Sequence, residues 1–166
     1  LAYYYPSAIT SDDETVTPLP AKQVSPTKNG VSYIYYEGKF KHTDHFKTNG
    51  VKKDEGTMPN FSILNAPAKD HFGYEFKTYI YIPKAGVYNF YLYSDDGSLL
   101  YIDGKVVIDN NGSHSAARKG GKIALEEGFH ELHLHYFEDY MGQELKVKIS
   151  SRWMEEQFIS DKMVFL

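Results

Sequence analysis

The chain of 166 residues contains no cysteine. No disulfide can staple the fold, and any metal it holds must sit on oxygen or imidazole ligands. The absence does not fix the redox compartment. No run of about 18 apolar residues occurs, so no helical membrane span is expected. Positive charge is in short supply: 18 Lys and Arg stand against 22 Asp and Glu, for a net charge of -4 and a pI near 6.0. Nucleic acid and anionic membrane both call for a basic face, and neither is expected as a partner. There is no phosphate-cradling glycine loop and no Gly-x-Ser-x-Gly elbow. Carboxylates such as Glu126-Glu127 and Glu155-Glu156 are plentiful but fall in no recognisable acid–base motif, so the chain is expected not to be an enzyme by itself. The first residue is Leu1, with neither Met nor signal peptide ahead of it, which predicts a piece of a longer protein.

What is abundant is aromatic. Tyr (15) and Phe (10) favour pleated, half-buried surfaces. A chain this long can bury roughly 70% of its unfolded surface, enough for one core. Residues 1–28 differ from the rest, holding four of the seven prolines and the polar run Ser11-Asp12-Asp13-Glu14. They read as an extended tail that packs along the domain or, the favoured expectation, as a linker from a preceding domain. Residues 29–166 read as the folded unit.

The centre of that unit is the stretch from Tyr93 to Asn110, with Asp96-Gly97 and Asp103-Gly104 between apolar runs. Asp-Gly tolerates the positive φ of tight hairpin turns, so the stretch predicts strand, turn, strand, turn, strand. Around it, strands are expected at Val31–Tyr36, 61–64, Phe72–Ile82, Val87–Tyr93, Lys122–Leu125, Phe129–Phe137, Leu145–Ile149 and Val164–Leu166. Alternation puts Tyr74, Phe76, Thr78, Ile80 and Ile82 on one face, and likewise His130, Leu132, Leu134 and Tyr136. Residues 38–60, 110–121 and 138–142 read as loops, and Trp153–Gln157 as one helical turn. About nine or ten short strands with no convincing helix predict an all-β antiparallel sandwich or barrel.

Several runs, in order, resemble the lectin-like β-domain named after anthrax protective antigen, the PA-fourteen domain. They are Gly73-Tyr74-Glu75-Phe76, then Tyr81 to Phe90, then Ser94-Asp95-Asp96-Gly97-Ser98 through Asp103-Gly104. Val107 to Asn110, His114, Gly128-Phe129-His130 and Tyr136-Phe137-Glu138 continue the match. The resemblance covers about residues 30–166. It implies a β-sandwich with barrel elements, carried by bacterial glycosidases, fungal adhesins and toxins as a carbohydrate-binding or docking module. A shorter resemblance, from Thr17-Pro18-Leu19-Pro20-Ala21-Lys22 to Gly38, is to the junction ahead of this domain in bacterial family-twenty β-N-acetylhexosaminidases. It implies a non-catalytic accessory module of a secreted or periplasmic glycoside hydrolase, outside the cytoplasm, with the catalytic domain of the same chain as a partner.

The resemblance also implies a site. In the adhesin branch two adjacent Asp residues, here Asp95 and Asp96, hold Ca²⁺ through a cis peptide, and the ion holds sugar hydroxyls; Ca²⁺ accepts six to eight oxygens, so hydroxyls can complete its shell. An Asn of the loop after the Phe129–Phe137 strand completes that site in adhesins. Here the place holds Glu138 or Asp139, and Glu138 is taken as the third metal ligand. Asn110, His114 and Tyr140 join Asp95 and Asp96 as candidate glycan contacts. The alternatives stay open: Ser-Asp-Asp-Gly is also sound turn chemistry, His114 can be a structural hydrogen-bonding residue, and Tyr140 ordinary surface. His133-x-His135 has the spacing of a zinc pair but no evident third ligand. The competing function is a docking or oligomerisation domain that binds no sugar.

Overall fold

The computed structural model describes Ile9 and residues 13–166. Eleven strands follow in order: β1 Val31–Glu37, β2 Val51–Met58, β3 Phe72–Ile82, β4 Gly86–Asp95, β5 Ser98–Ile102, β6 Lys105–Asn110, β7 Ala117–Leu125, β8 Gly128–Glu138, β9 Glu144–Ser151, β10 Met154–Phe158 and β11 Val164–Phe165. The only α-helix among the described residues is the four-residue Phe46–Asn49. One antiparallel sheet runs β2-β1-β3-β8-β5-β6, with β11 also on β3; the other runs β10-β9-β4-β7. The fold is therefore the all-β antiparallel sandwich expected from the sequence.

Alternation explains the core. Tyr74, Phe76, Ile80 and Ile82 of β3, Leu132, Leu134 and Tyr136 of β8, and Tyr88, Phe90 and Leu92 of β4 are all buried in one cluster between the sheets. Thr78 shares that face and closes the chain ends. Its Oγ1 accepts from Phe165 N (3.1 Å) and lies 2.9 Å from the Gly30 carbonyl, where β1 stops on β3 and β11 takes over. His130, fully buried, joins two turns: Nδ1 lies 2.6 Å from Asp103 Oδ2, and Nε2 2.8 Å from the Glu126 carbonyl. Leu19 to Lys22 pack along this end of the sandwich. Leu19 N donates to Ala124 O, Glu126 N to Leu19 O, and Lys22 N to Phe129 O. The expectations for residues 1–8 and 10–12, including Ser11 and Asp12 of the Ser11–Glu14 run, lie outside the described residues.

Several expectations are corrected. Residues 38–60 are not one loop, because they include β2. That strand has a single neighbour, β1, and Val51 to Thr57 are all exposed, so no alternation marks it. Its Lys52, Lys53, Asp54 and Glu55 suit an open edge that must not recruit another strand. The stretch 61–64 forms no strand, although Ile63 is buried. β7 starts at Ala117, well before Lys122, and runs through Gly120-Gly121, where it crosses close to β6: a Cβ on Gly121 would stand 2.1 Å from Val107 O. Trp153–Gln157 is not helical; Arg152-Trp153 form a turn into β10, another edge strand.

The two Asp-Gly turns also diverge. Asp103 and Gly104 have φ of 50° and 79°, the two-residue hairpin turn expected between β5 and β6. Gly97 lies outside the left-handed region, and the turn there is no hairpin, because β4 belongs to one sheet and β5 to the other. Asp95-Asp96-Gly97 is the place where the chain crosses between layers.

Candidate metal and ligand site at the sandwich tip

The crossover is anchored from below. Ser94 and Ser98, both fully buried, bond through their hydroxyls at 2.6 Å, and Asn110 Nδ2 donates to Ser94 Oγ at 2.9 Å and to Ala117 O at 3.2 Å. On the β8 side, Phe137 N donates to Gly97 O, Asp96 N donates to Phe137 O, and the Tyr136 hydroxyl bonds to the Asp95 carbonyl. The Asp95–Asp96 peptide is cis.

Asp96 is buried and ties two loops together. Its Oδ1 accepts from His114 N (2.9 Å) and its Oδ2 from Asp139 N (2.8 Å). Asp95 is half-buried; burial and then the Asp96 charge raise its carboxyl, against a lowering by His114. Glu138 is fully buried, and neither Oε1 nor Oε2 has a hydrogen-bond partner. Burial, with Asp70 and Asp96 beside it, pushes its carboxyl up to about 9. Its neighbours are themselves carboxylates and offer it no donor, so without a cation the group keeps its proton at neutral pH, and only in the ionised form are its two buried oxygens unsatisfied.

Those orphaned oxygens are the test of whether a cation fits, and they pass it. One carboxylate oxygen each of Asp95, Asp96 and Glu138 lie within 4.8 Å of one another, and no other group of three potential ligands is as close among the described residues. A hard divalent cation would pair all three charges and satisfy Glu138, where burial without a partner costs of order 1–3 kcal/mol. The three residues expected as ligands are thus brought together.

Over Asp96 opens a cleft of about 550 Å³. Ser113, His114, Asp139 and Tyr140 line it, with Lys39, Lys41 and His71. Asp139 Oδ2 accepts from Lys41 Nζ (2.6 Å) and Ser113 Oγ (2.5 Å). Burial alone would raise the Asp139 carboxyl, but these bonds and the Lys41 and His71 charges outweigh it and hold it low. Tyr140 and Met141 stand 66% and 67% exposed at the rim. His114 faces two carbonyls, Nε2 toward Asn110 O and Nδ1 toward Ser115 O. Asn110 is buried with its amide turned inward, so it supports the site from beneath and is not open to the cleft. His133 and His135 stand on the outer face of β8, away from this cluster.

Sequence reasoning missed Lys41, His71, Asp70 and Ser113. Only Asp70 carried a local hint, in Lys69-Asp70 ahead of a strand; the Lys41–Asp139 contact spans 98 residues and left none.

A family model described as the PA14 domain matches residues 27–165. The chain belongs to the PA14 domain family. Among curated proteins it is similar to the anti-sigma-I factor RsgI3 of Acetivibrio thermocellus, 29% identical over 79 residues, which is 47% of this chain and 12% of that protein. Among solved structures it is similar to an anti-sigma factor domain-containing protein from Clostridium clariflavum, with a TM-score of 0.69 at 22% identity over 82% of this chain and 47% of that one. It is also similar to the epithelial adhesin 9 A domain of Candida glabrata in complex with Galβ1-3GlcNAc, with a TM-score of 0.67 at 14% identity, covering 89% and 94%. The chain thus spans about an eighth of the curated relative and under half of the anti-sigma structure. The PA14 resemblance stands, and the expectation of a family-twenty hexosaminidase parent finds no support.

Proposed function

We propose that this PA14 domain is a non-catalytic carbohydrate-binding module whose glycan site is the Asp95–Asp96 tip and whose affinity depends on Ca²⁺. The observation that carries the reading is the convergence of Asp95, Asp96 and Glu138: three carboxyl groups with one oxygen each within 4.8 Å of one another, the fully buried Glu138 having no hydrogen-bond donor of its own. When bound, Ca²⁺ would supply coordination places for vicinal sugar hydroxyls. Asp95, Asp96 and Glu138 would hold it. Asp96 would at the same time fix the loops of His114 and Asp139 through their backbone N–H groups, and Tyr140 would offer an apolar ring face at the rim. The solved adhesin neighbour, named as a glycan complex, supports a sugar as the ligand class.

For the parent chain two settings are proposed. Beside a glycoside hydrolase domain, the module would raise the effective concentration of substrate by tethering. In an anti-sigma-type protein, which the relatives favour, it would be the part that meets glycan outside the cell. No helix among the described residues is long and apolar enough to cross a membrane.

The test is a glycan array and calorimetry of the chain with Ca²⁺ and with EGTA. The expected result is glycan binding in Ca²⁺ that disappears in EGTA and in Asp95→Asn. Absence of glycan binding in Ca²⁺ would move the assignment to the docking or oligomerisation role.

A further inference from the structure

Beside the carboxylates Asp96 and Asp139, the cleft is lined by Lys39, Lys41 and His71, nitrogen-bearing groups that a cation site for neutral sugars does not require. We infer that it selects glycans bearing an anionic group, sugar acids over neutral sugars, and that Lys39 and Lys41 are the specificity-determining residues; this rests on the carbohydrate-binding reading above.

Lys39 and Lys41 flank Phe40, which is fully buried, while both lysines are exposed and line the cleft. Phe40 packs with Phe46 and Phe137 in a small core of their own, outside the main one. Phe46 in turn lies so close over β3 that a Cβ on Gly73 would stand 2.3 Å from its ring. Phe137 directly precedes Glu138 and Asp139. The aromatic cluster therefore ties the lysine-bearing loop to the strand end that carries the carboxylates. Two further links hold the loop: Gly38 N donates to His71 O (2.8 Å), and Thr43 and Asn111 exchange hydrogen bonds of 3.0 and 2.9 Å.

The backbone that carries both lysines is consequently fixed at the cleft. Lys41 Nζ is held 2.6 Å from Asp139 Oδ2, which leaves it further N–H donors. Lys39 has no ion pair among the described residues. His71 adds a third nitrogen-bearing side chain to the cleft, its Nδ1 3.8 Å from Asp139 Oδ1 and without a hydrogen-bond partner. A neutral sugar offers these groups hydroxyls, for which water substitutes at little loss. A carboxylate or sulfate offers charge-assisted bonds roughly twice as strong as neutral ones.

The test is calorimetry of the Ca²⁺-loaded chain with matched probes: galacturonate and glucuronate trimers, a sulfated galactose trimer, and neutral galactose and glucose trimers. At about 50 mM NaCl an acidic trimer is expected to bind about tenfold tighter than its neutral counterpart. That advantage should shrink toward unity in Lys39→Gln/Lys41→Gln and, for the native chain, at about 500 mM NaCl. An advantage for either the uronate or the sulfate sustains the inference. Equal affinity for acidic and neutral trimers overturns it and leaves the carbohydrate-binding reading intact. An undiminished acid preference in the double variant also overturns it, assigning the anion to the cation instead. Failure of every trimer to bind in Ca²⁺ overturns both. Should the double variant fail to fold, Lys39→Gln alone, which breaks no ion pair among the described residues, and the salt dependence of the native chain decide.

Discussion

Glu138 is the residue on which the site turns, and it makes the metal-free protein sensitive to pH in a stated direction. Its carboxyl is raised from 4.5 to about 9. Between those values the native state binds more protons at this group than the unfolded chain does. Its contribution is fully present below the ordinary Glu value and is lost as pH rises through the window. In EGTA, urea unfolding should therefore show falling stability from about pH 5 to about pH 9, and Glu138→Gln should flatten that slope. In the chelated protein at neutral pH, Glu138→Gln should be as stable as the native chain or more so; a large loss would mean that the carboxylate has a partner. Asp96 behaves differently, because it is a hydrogen-bond acceptor for two backbone N–H groups as well as a candidate ligand. Asp96→Ala should cost about 2–4 kcal/mol in urea midpoints with or without Ca²⁺, and Asp96→Asn, which keeps one acceptor oxygen, should cost less. His135 provides the opposite sign. Burial lowers its pKa, so its contribution is lost as pH falls below the ordinary histidine value, and His135→Gln should reduce acid-side destabilisation in the same titration.

Elements with a buried face could be read from the sequence, and elements without one could not. The alternation of Tyr74, Phe76, Thr78, Ile80 and Ile82 in β3, and of His130 to Tyr136 in β8, placed both central strands and their inward faces correctly. β2 and β10 are exposed edges, so their charged residues carry no period and read as loop and helical turn. β7 was shortened because Gly120-Gly121 looks like a turn, whereas Gly121 lacks a side chain so that β6 can pass. Gly121→Ala should accordingly cost about 3 kcal/mol or more, since Val107 O is backbone and cannot swing away. At the site, the local Asp95-Asp96-Gly97 signal survived, while the partners from residues 38–42 and 69–71 arrive only through tertiary packing. Phe46→Ala tests that packing. The cavity should cost about 3 kcal/mol, and glycan affinity should fall further than Ca²⁺ affinity, because the lysine loop is loosened while the three carboxylates keep their backbone.

At the scale of the whole molecule, the two sheets give the sandwich two unlike ends. One end joins the Asp103-Gly104 turn, His130, the Glu126 turn and the incoming segment Leu19 to Lys22 through hydrogen bonds. The other is the place where β4 crosses to β5, where the carboxylates converge under an open cleft. Such a division suits a module held at one end and reaching ligand with the other. Deleting the residues before Thr27 should lower the melting temperature while leaving Ca²⁺ affinity at the far tip within about twofold. The measurement that bears most directly on the whole is a Ca²⁺ titration of the chelated chain, by calorimetry and by thermal unfolding, beside Glu138→Gln. One site per chain, a melting temperature that climbs with Ca²⁺, and loss of both in the variant are expected. No heat and a melting temperature indifferent to Ca²⁺ would contradict a metal site at Asp95, Asp96 and Glu138, and with it the calcium-dependent binding of glycan.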